Sequence, residues 1–304
     1  MSARVVVSPK SHHGDQMFFL HEGNRHPVLD GEWLRQMGVR VPADVCIMDT
    51  DELQSYRPSG PVVRRWTAND FSSPPQDSRL VRQLLASSLA GSGVEFGAGS
   101  SPFPVPLECE VQFVDIFPYE VLRDHVYPGQ HVDDLVIPSY LGSLDDMSQI
   151  ADSSMDFVVA CHVIEHVCDP LGALTESARV LRRGGLLALV VPEMRKTFDR
   201  DRALTTTEHI VLDHFEPDKT RDLEHYREFY TLAMRPPKDD MIEPLSLQKH
   251  AERGDIHYHV WTYESFMETL SIVCPKHAQL EVVWSHPSLT AEVDIEFYVL
   301  LRKF

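Results

Sequence analysis

The sequence has little of three things: cysteine, basic side chains and long apolar runs. Its five cysteines are odd in number, widely spread and without the paired spacing of a disulfide framework or a zinc ribbon. No segment approaches the roughly 20 apolar residues of a membrane span, and the apolar run near the N-terminus is too short for a signal peptide. These absences exclude a disulfide-stapled scaffold and predict a soluble, cytoplasmic protein without a membrane span.

The shortage of basic residues excludes a class of partner. Lysine and arginine number 28 against 46 aspartates and glutamates, so the formal net charge is −18. Such a chain repels a nucleic-acid backbone, and we expect a small-molecule ligand instead of nucleic acid. With 304 residues and 43% hydrophobic side chains it can bury one large core and a small satellite unit. A monomer and a homodimer both stay open.

Composition divides the chain into a small N-terminal unit and a larger domain. Residues 14–66 have the pattern of a βα unit, with a strand at 17–20 and a helix at 32–37. Proline and serine then mark a connection that ends near residue 76. In residues 77–304 strands alternate with longer helical patterns, which predicts parallel strands joined by crossover helices. The predicted elements are helix 77–90, strands 93–97, 110–115 and 156–161, helix 169–182, strand 185–191, helix 262–272, and strands 279–284 and 294–301.

A glycine-rich turn follows the first predicted strand of the large domain. Glu95 precedes Gly97 and Gly99, whose lack of a side chain lets a ligand approach the backbone. The next strand ends about 20 residues further on at Asp115, where a carboxylate can accept hydrogen bonds from ribose hydroxyls. These features predict a nucleotide-type cofactor, but nicotinamide-dependent oxidoreductases share them.

A later segment makes the cofactor specific. Residues 154–167 read Ser-Met-Asp-Phe-Val-Val-Ala-Cys-His-Val-Ile-Glu-His-Val, and residues 179–192 read Arg-Val-Leu-Arg-Arg-Gly-Gly-Leu-Leu-Ala-Leu-Val-Val-Pro. Together with the glycine turn, residues 94–192 resemble class I S-adenosylmethionine-dependent methyltransferases of the small-molecule type. The resemblance implies a doubly wound, Rossmann-like α/β sheet of seven strands with the last strand antiparallel. It also implies S-adenosylmethionine as cofactor, bound by Glu95, Gly97, Gly99, Asp115, Asp145, Cys161 and His162.

One motif in this segment has a competing interpretation. His162-Val163-Ile164-Glu165-His166 spells the His-x-x-Glu-His signature of inverted zinc peptidases. That motif needs a helix to place both histidines on one face, whereas β-favouring apolar residues run directly into it here. We therefore reject a peptidase site.

Acceptor specificity is expected in an insertion at residues 193–260, because ligands bind beyond the carboxyl ends of parallel strands. A helix that opens at 205–209 would bring His209 and Asp213 to one face. His257 and His259 alternate on a predicted strand, so both would face one way. This pattern is similar to a subgroup of bacterial methyltransferases of mostly unassigned substrate, often associated with cell-surface glycan loci. Three arginines are predicted to clamp an anionic acceptor: Arg195, Arg200 and Arg202.

The predicted reaction is O-methylation of a small polar acceptor such as a sugar. Methyl transfer from a sulfonium is an in-line displacement, so the enzyme supplies proximity, alignment and, for a hydroxyl nucleophile, a base. His209 is the predicted base, oriented by Asp213, and His257 and His259 complete the predicted catalytic set. N-methylation stays open, as does a non-catalytic cofactor-binding scaffold. The prediction requires no metal, but a metal-assisted reaction would place a divalent ion on His209, Asp213, His257 and His259.

Overall fold

A computed structural model describes residues 4–7, 16–29, 34, 39–41, 43–65, 77–129, 134–289 and 294–304. By its contacts the chain forms two compact units. The first is Met1–Pro75 with Arg79–Leu141, and the second is Gln76–Ser78 with Gly142–Phe304. No helix in the described part of the chain is long and apolar enough to cross a membrane.

The first unit begins with a mixed sheet of short strands. Among the described residues it has five strands in the order β4-β1-β2-β3-β5, with β2 antiparallel to both its neighbours. Alternation along β1 and β2 places Val5 and Phe19 in one apolar cluster and Val6 and Phe18 in another. The predicted helix at 32–37 lies outside the described residues except for Leu34, which is buried. The strands are β1 (Arg4–Val7), β2 (Met17–His21), β3 (Asn24–Pro27), β4 (Val45–Ile47) and β5 (Arg57–Pro58), with the short helix α1 (Thr50–Gln54) after β4.

This N-terminal sheet continues into the residues predicted to start the large domain. Strand β6 (Val62–Val63) pairs in parallel with β8 (Val105–Pro106), and the N–H of Val105 donates to the carbonyl of Pro61 at 3.0 Å. The backbones of Gly60 and Phe103 approach so closely that a side chain at residue 60 would strike the Phe103 carbonyl. The two segments therefore pack together within the first unit. The predicted connection at 66–76 lies outside the described residues, so the boundary there stays a prediction.

The main sheet has seven strands among the described residues, in the order β10-β9-β7-β11-β12-β14-β13. Strands β9 and β10 and strands β7 and β9 pair in parallel, as do β11 and β12. Strand β14 runs antiparallel to both β12 and β13. This confirms the predicted α/β sheet with an antiparallel last strand. The strands are β7 (Ser92–Phe96), β9 (Glu110–Asp115), β10 (Tyr140–Leu141), β11 (Met155–Cys161), β12 (Leu181–Pro192), β13 (Leu280–His286) and β14 (Glu296–Lys303).

The helices begin at side-chain caps that can be recognised in the sequence. Asp169 accepts a hydrogen bond from the N–H of Gly172, and Thr206 accepts one from the N–H of His209. At Thr262 a capping box with Ser265 starts the last helix. The helices are α2 (Ser78–Ala86), α3 (Tyr119–Val121), α4 (Pro170–Val180), α5 (Thr207–Phe215), α6 (Lys219–Glu228), α7 (Ile242–Glu252) and α8 (Tyr263–Val273).

The core of the second unit is centred on β11 and β12. Phe157, Val158 and Val159 of β11 are fully buried on both faces of the strand, as expected for a central parallel strand. Helix α4 crosses from β11 to β12 and ends at Val180, two residues before its predicted end, and β12 begins at Leu181. The carboxyl end of β11 leads directly into His162, and that of β12 leads into the insertion that begins at residue 193.

A substitution at Gly60 tests the packing of the first unit. We expect Gly60→Ala to lower the free energy of unfolding by about 2 kcal/mol or more, because the new methyl group would overlap the Phe103 carbonyl. The control is Gly23→Ala, where φ is +82° but the space is open, and it should cost about 1 kcal/mol. Urea denaturation measures both. Equal losses in the two variants would contradict the close approach.

Candidate functional site

The glycine turn after β7 has the backbone that its sequence predicts. Gly97 and Gly99 have φ of +64° and +53°, a conformation that residues with a Cβ rarely adopt. The hydroxyl of Tyr127 lies against Gly99, where a Cβ would overlap it. The N–H of Gly97 donates to the carbonyl of Val114 at 3.0 Å, which ties the turn to β9. Gly97 is thus required for its backbone conformation, and Gly99 both for its conformation and for the close contact with Tyr127.

Glu95 is buried at the end of β7, with 2% of its surface exposed. Its Oε1 accepts a hydrogen bond from the N–H of Phe103 at 2.7 Å. Burial raises the pKa of Glu95 to about 8, and the bond from Phe103 only partly offsets that effect. The side chain therefore holds the loop after the glycine turn while carrying a proton at neutral pH.

Asp115 ends β9 and is half-buried. Its Oδ1 accepts from the N–H of Phe117 at 3.0 Å, which closes a turn directly after the strand. Burial raises the pKa of Asp115, while hydrogen bonds from the N–H groups of Phe117 and Ile116 oppose that rise. The carboxylate is held in place at the strand end, as a group that binds ribose hydroxyls needs to be.

The second unit carries the other predicted cofactor residues. Asp145 is half-buried and accepts a hydrogen bond from the hydroxyl of Ser143, and burial raises its pKa. Cys161 ends β11, and His162 follows it with φ of +53°, a strained conformation for a residue with a side chain. Nε2 of His162 lies 2.8 Å from Oε2 of Glu296 on β14. The strained backbone directs this imidazole onto a buried carboxylate.

The insertion gathers three imidazoles around one oxygen atom, Oδ2 of Asp213. The distance from this oxygen to Nε2 is 3.0 Å for His209 and 3.8 Å for both His225 and His259. Nε2 of His209 and Nε2 of His225 are 3.4 Å apart. Asp213, His225 and His259 are buried, whereas 34% of the His209 side chain is exposed. We call these four residues the Asp213 cluster.

The buried imidazoles of the Asp213 cluster are neutral. Burial lowers the pKa of His259 to about 3 and also lowers that of His225, and the neighbouring imidazoles add to both effects. Nδ1 of His225 donates to the carbonyl of Tyr258 at 3.0 Å, so the lone pair of this ring is on Nε2. The ring nitrogen that faces Asp213 is therefore an electron-pair donor.

A second group surrounds His257. Nδ1 of His257 donates to Oδ2 of Asp199 at 2.6 Å, and the ring of His166 packs edge-on at 4.6 Å between centroids. The side-chain atoms of Glu165, His166 and His257 that could bind a metal ion all lie within 4.8 Å of one another. Both carboxylate oxygens of Glu165 are buried and accept no hydrogen bond from any described residue. We call Asp199, Glu165, His166 and His257 the Asp199 cluster.

Asp199 is held ionised by its partners. Burial acts to raise its pKa, but the hydrogen bonds from His257 and Arg202 outweigh burial and keep the pKa below its ordinary value. Oδ1 of Asp199 accepts from Nη1 of Arg202 at 3.0 Å, and both side chains are about 1% exposed. The result is a buried carboxylate that fixes one tautomer of His257.

The structure separates residues that the sequence grouped together. His209, Asp213 and His259 lie in the Asp213 cluster, whereas His257 lies in the Asp199 cluster. The segment that carries both histidines, residues 254–262, is extended but has no regular secondary structure, so the predicted strand is absent. His225 takes the place beside His209 that the sequence assigned to His257.

The three predicted arginines do not form one clamp. Arg202 is buried, and its guanidinium group donates hydrogen bonds to Asp199, to Glu228 and to the carbonyls of residues 257 and 258. Arg195 pairs with Glu193 and Glu264. Arg200 is exposed and lies 4.0 Å from Asp201. Each of the three arginines thus has an acidic neighbour, and Arg202 alone among them is buried.

The His-x-x-Glu-His motif does not lie on a helix. His162 is in a bend, and residues Ile164–His166 form a single 3₁₀ turn. Its two histidines go to different carboxylates, Glu296 and Asp255. The motif therefore lacks the arrangement of a zinc peptidase.

Four residues of the clusters were not predicted. Glu165 and His166 belong to the rejected peptidase signature, and the sequence pattern assigns no role to Asp199. His225 is at helical position i+3 from Asp222 on α6, a spacing that no local signal connects to His209. A search for pairs of histidines and acids near the carboxyl ends of β11 and β12 would have included all but His225.

Comparison with known proteins agrees with the resemblance in the sequence. Residues 94–189 match the family described as a methyltransferase domain. Similar solved structures include S-adenosylmethionine-dependent methyltransferases from Mesorhizobium loti (12% identity, 74% of this chain and 96% of that chain, TM-score 0.41), Methanosarcina mazei (16%, 70% and 92%, 0.37) and Thermotoga maritima (20%, 74% and 88%, 0.37). The search of curated proteins finds no match.

Replacing Glu95 by glutamine tests the buried proton. An exposed glutamate titrates near 4.5, whereas the pKa of Glu95 is about 8, so between these values the folded state holds a proton that the unfolded state has released. The stability that the protonated Glu95 contributes to the folded state is therefore lost as the pH rises toward 8. Glutamine can keep the bond from Phe103, and we expect Glu95→Gln to reduce the fall in unfolding free energy between about pH 5 and pH 8 by roughly 3 kcal/mol.

Urea denaturation at several pH values measures this change. The control is Glu110→Gln on the same sheet, an exposed residue that should leave the pH dependence of stability unchanged. A Glu95→Gln protein with the wild-type pH dependence would show that Glu95 is ionised in the folded state.

Proposed function

Since the chain is a class I S-adenosylmethionine-dependent methyltransferase, we propose that it methylates an oxygen atom of a small polar acceptor, such as a sugar, with a histidine as the base. The observation that carries the proposal is the buried pair of Asp199 and His257 in the insertion after β12. An imidazole oriented by a buried carboxylate is the arrangement that hydroxyl activation requires.

The residues of the glycine turn and the strand ends fit the cofactor. S-adenosylmethionine, when bound, supplies a methyl group activated by a sulfonium. Gly97 and Gly99 present backbone without side chains, and Asp115 offers a fixed, half-buried carboxylate for the ribose hydroxyls. We propose that Glu95 and both glycines surround the methionine part, that Asp145 meets the adenine amine, and that Cys161 and His162 line the pocket.

His257 has the features of a general base. Asp199 holds the proton of the ring on Nδ1, so Nε2 carries the lone pair. The bound cofactor would supply the methyl group to the acceptor oxygen, with S-adenosylhomocysteine as the other product. The hydroxyl proton passes to Nε2 of His257, and the ionised Asp199 stabilises the imidazolium that forms.

Glu165 favours an acceptor with hydroxyl groups. Its two buried oxygens accept no hydrogen bond from the described residues, and they lie beside His166 and His257. A buried carboxylate without donors is unfavourable, and hydroxyl groups of a sugar would satisfy it.

His209 stays the alternative base, as its position before Asp213 predicts. Its Nε2 points at Asp213 and at a second imidazole, that of His225. These contacts engage Nε2 of His209 although 34% of that side chain is exposed, whereas Asp199 engages only Nδ1 of His257. The geometry favours His257, and the variants below separate the two.

A metal-assisted methyl transfer is the second candidate, because Glu165, His166 and His257 have ligand atoms within 4.8 Å. An ion there would also satisfy Glu165 and would polarise the acceptor hydroxyl. In that case a chelator would stop turnover without changing the unfolding curve, and added divalent ion would restore it. A base mechanism at His257 predicts no such restoration.

The cofactor assignment is tested at Asp115. We expect Asp115→Ala to raise the dissociation constant of S-adenosylmethionine by about 10-fold or more, because the hydrogen bonds between a charged carboxylate and the ribose are lost. Isothermal titration calorimetry measures the affinity. Asp124→Ala, which removes an exposed acid from the same unit, should bind like the wild type. A folded Asp115→Ala protein of wild-type affinity would remove Asp115 from the cofactor site.

The base is tested by comparing three histidine variants on a panel of free and nucleotide-linked sugars, with mass spectrometry to detect the added methyl group. We expect His257→Asn to lower kcat by about 100-fold or more and to keep S-adenosylmethionine affinity within about threefold. Asparagine preserves a donor to Asp199. His214→Asn, a histidine paired with Asp169, is the control and should retain wild-type turnover.

The outcomes distinguish the alternatives. Turnover should be lost in His257→Asn and retained in His209→Asn. The reverse result would assign the base to His209. Methylation of amines and not of hydroxyls by the wild type would replace O-methylation with N-methylation.

A further inference from the structure

We propose that the Asp213 cluster is a tetrahedral binding site for a divalent transition metal, Zn²⁺ above others, that joins three segments of the insertion. The ligands are Oδ2 of Asp213 and Nε2 of His209, His225 and His259. The site does not depend on the proposed methylation of an oxygen, because it rests on the geometry of these four side chains alone.

The spacing of the ligand atoms matches a tetrahedral metal site. With metal–ligand bonds of roughly 2.1 Å, the edges of a regular tetrahedron are about 3.4 Å long. The distances from Oδ2 of Asp213 to the three Nε2 atoms are 3.0, 3.8 and 3.8 Å, and the edge between His209 and His225 is 3.4 Å. Four of the six edges are therefore within about 0.4 Å of the regular value, and the two edges from His259 to His209 and His225 are shorter than 4.8 Å.

Asp213 is the observation that calls for a ligand. Its Oδ2 is buried and accepts no hydrogen bond within the described residues, although Nε2 of His209 lies 3.0 Å away. Arg221 occupies the other oxygen, Oδ1, through its Nε. A cation enclosed by Oδ2 and the imidazoles would replace the poorly aligned contact between this oxygen and His209.

The surroundings of the cluster orient two of its ligands, His225 and Asp213, toward the centre. Nδ1 of His225 donates to the carbonyl of Tyr258, the usual second partner of an imidazole that binds a metal through Nε2. Arg221 similarly fixes the carboxylate plane of Asp213. Nε2 of His259 also lies 3.2 Å from the carbonyl of Cys168, a contact in which the ring donates its proton. A cation would replace that proton, leaving the carbonyl oxygen beside the metal.

The donor set selects the metal and indicates its role. Three neutral imidazoles and one carboxylate suit Zn²⁺ and related transition ions, whereas Mg²⁺ and Ca²⁺ prefer oxygen donors. Four protein ligands leave no open position, which is typical of structural sites. His209 and Asp213 belong to α5, His225 to α6 and His259 to the extended segment 254–262. We infer that the ion fastens these segments and that His209 is a ligand.

The test measures metal binding and stability, not turnover. Full-length protein, stripped with a chelator and titrated with Zn²⁺ alone, should bind one equivalent, as measured by inductively coupled plasma mass spectrometry. Zn²⁺ should raise the melting temperature by about 10 °C. Co²⁺ in place of Zn²⁺ should give the intense visible absorption of tetrahedral coordination instead of the weak bands of an octahedral ion.

The variants assign the ligands. His225→Gln should lose tight Zn²⁺ binding by 100-fold or more in dissociation constant, and its melting temperature should no longer respond to Zn²⁺. His214→Gln, on α5 but paired with Asp169 outside the cluster, should bind like the wild type. If His225→Gln does not fold, Asp213→Asn is tested in its place. The amide keeps the shape of the carboxylate, and weakening the hydrogen bond from Arg221 is a smaller loss than removing an imidazole.

Several results would overturn the proposal. Wild-type protein that binds no Zn²⁺ after stripping would do so, as would octahedral Co²⁺ spectra. Equal Zn²⁺ affinity in the wild type and in both His225→Gln and Asp213→Asn would place the ion elsewhere. Failure of the methylation assay would leave these measurements unaffected.

Discussion

The buried ion pair of Arg202 and Asp199 is the interaction on which the second unit depends. The guanidinium group donates to Asp199, to Glu228 at the end of α6, and to the carbonyls of His257 and Tyr258. One side chain thereby connects the segment after β12, helix α6 and the extended segment 254–262. Buried ion pairs of this kind are costly to break, because the partner left behind is charged and without water.

The path of the extended segment then places both clusters. The carbonyl of Glu165 accepts the N–H groups of Tyr258 and His259, so the turn after β11 holds the segment from its other side. His257 faces Asp199, and two residues later His259 reaches Asp213. Both clusters therefore take a histidine from the same segment, residues 254–262. This segment connects the proposed base to the proposed metal site.

The state of the carboxylates distinguishes the clusters. Both carboxylate oxygens of Asp199 accept hydrogen bonds, from Arg202 and from His257, so this residue serves to orient an imidazole. Oδ2 of Asp213 and both oxygens of Glu165 are buried without hydrogen bonds among the described residues. Unsatisfied acceptors in a low-dielectric interior are the places where a folded protein has most to gain from a ligand. This contrast supports assigning metal binding to Asp213 and acceptor binding to Glu165.

The sequence by itself determined the sheet, the glycine turn and the helix starts, because these depend on signals within a few residues. Alternating elements predicted β7, β9, β11 and β12, positive φ followed from glycine at 97 and 99, and capping side chains marked α4, α5 and α8. Only the tertiary structure decided how the histidines group and which charges are used. His257 is hydrogen-bonded to Asp199, 58 residues away in the sequence. Arg202 donates hydrogen bonds to residues 3 to 56 positions away. Such pairings follow from the path of the chain between elements, which residue spacing does not encode.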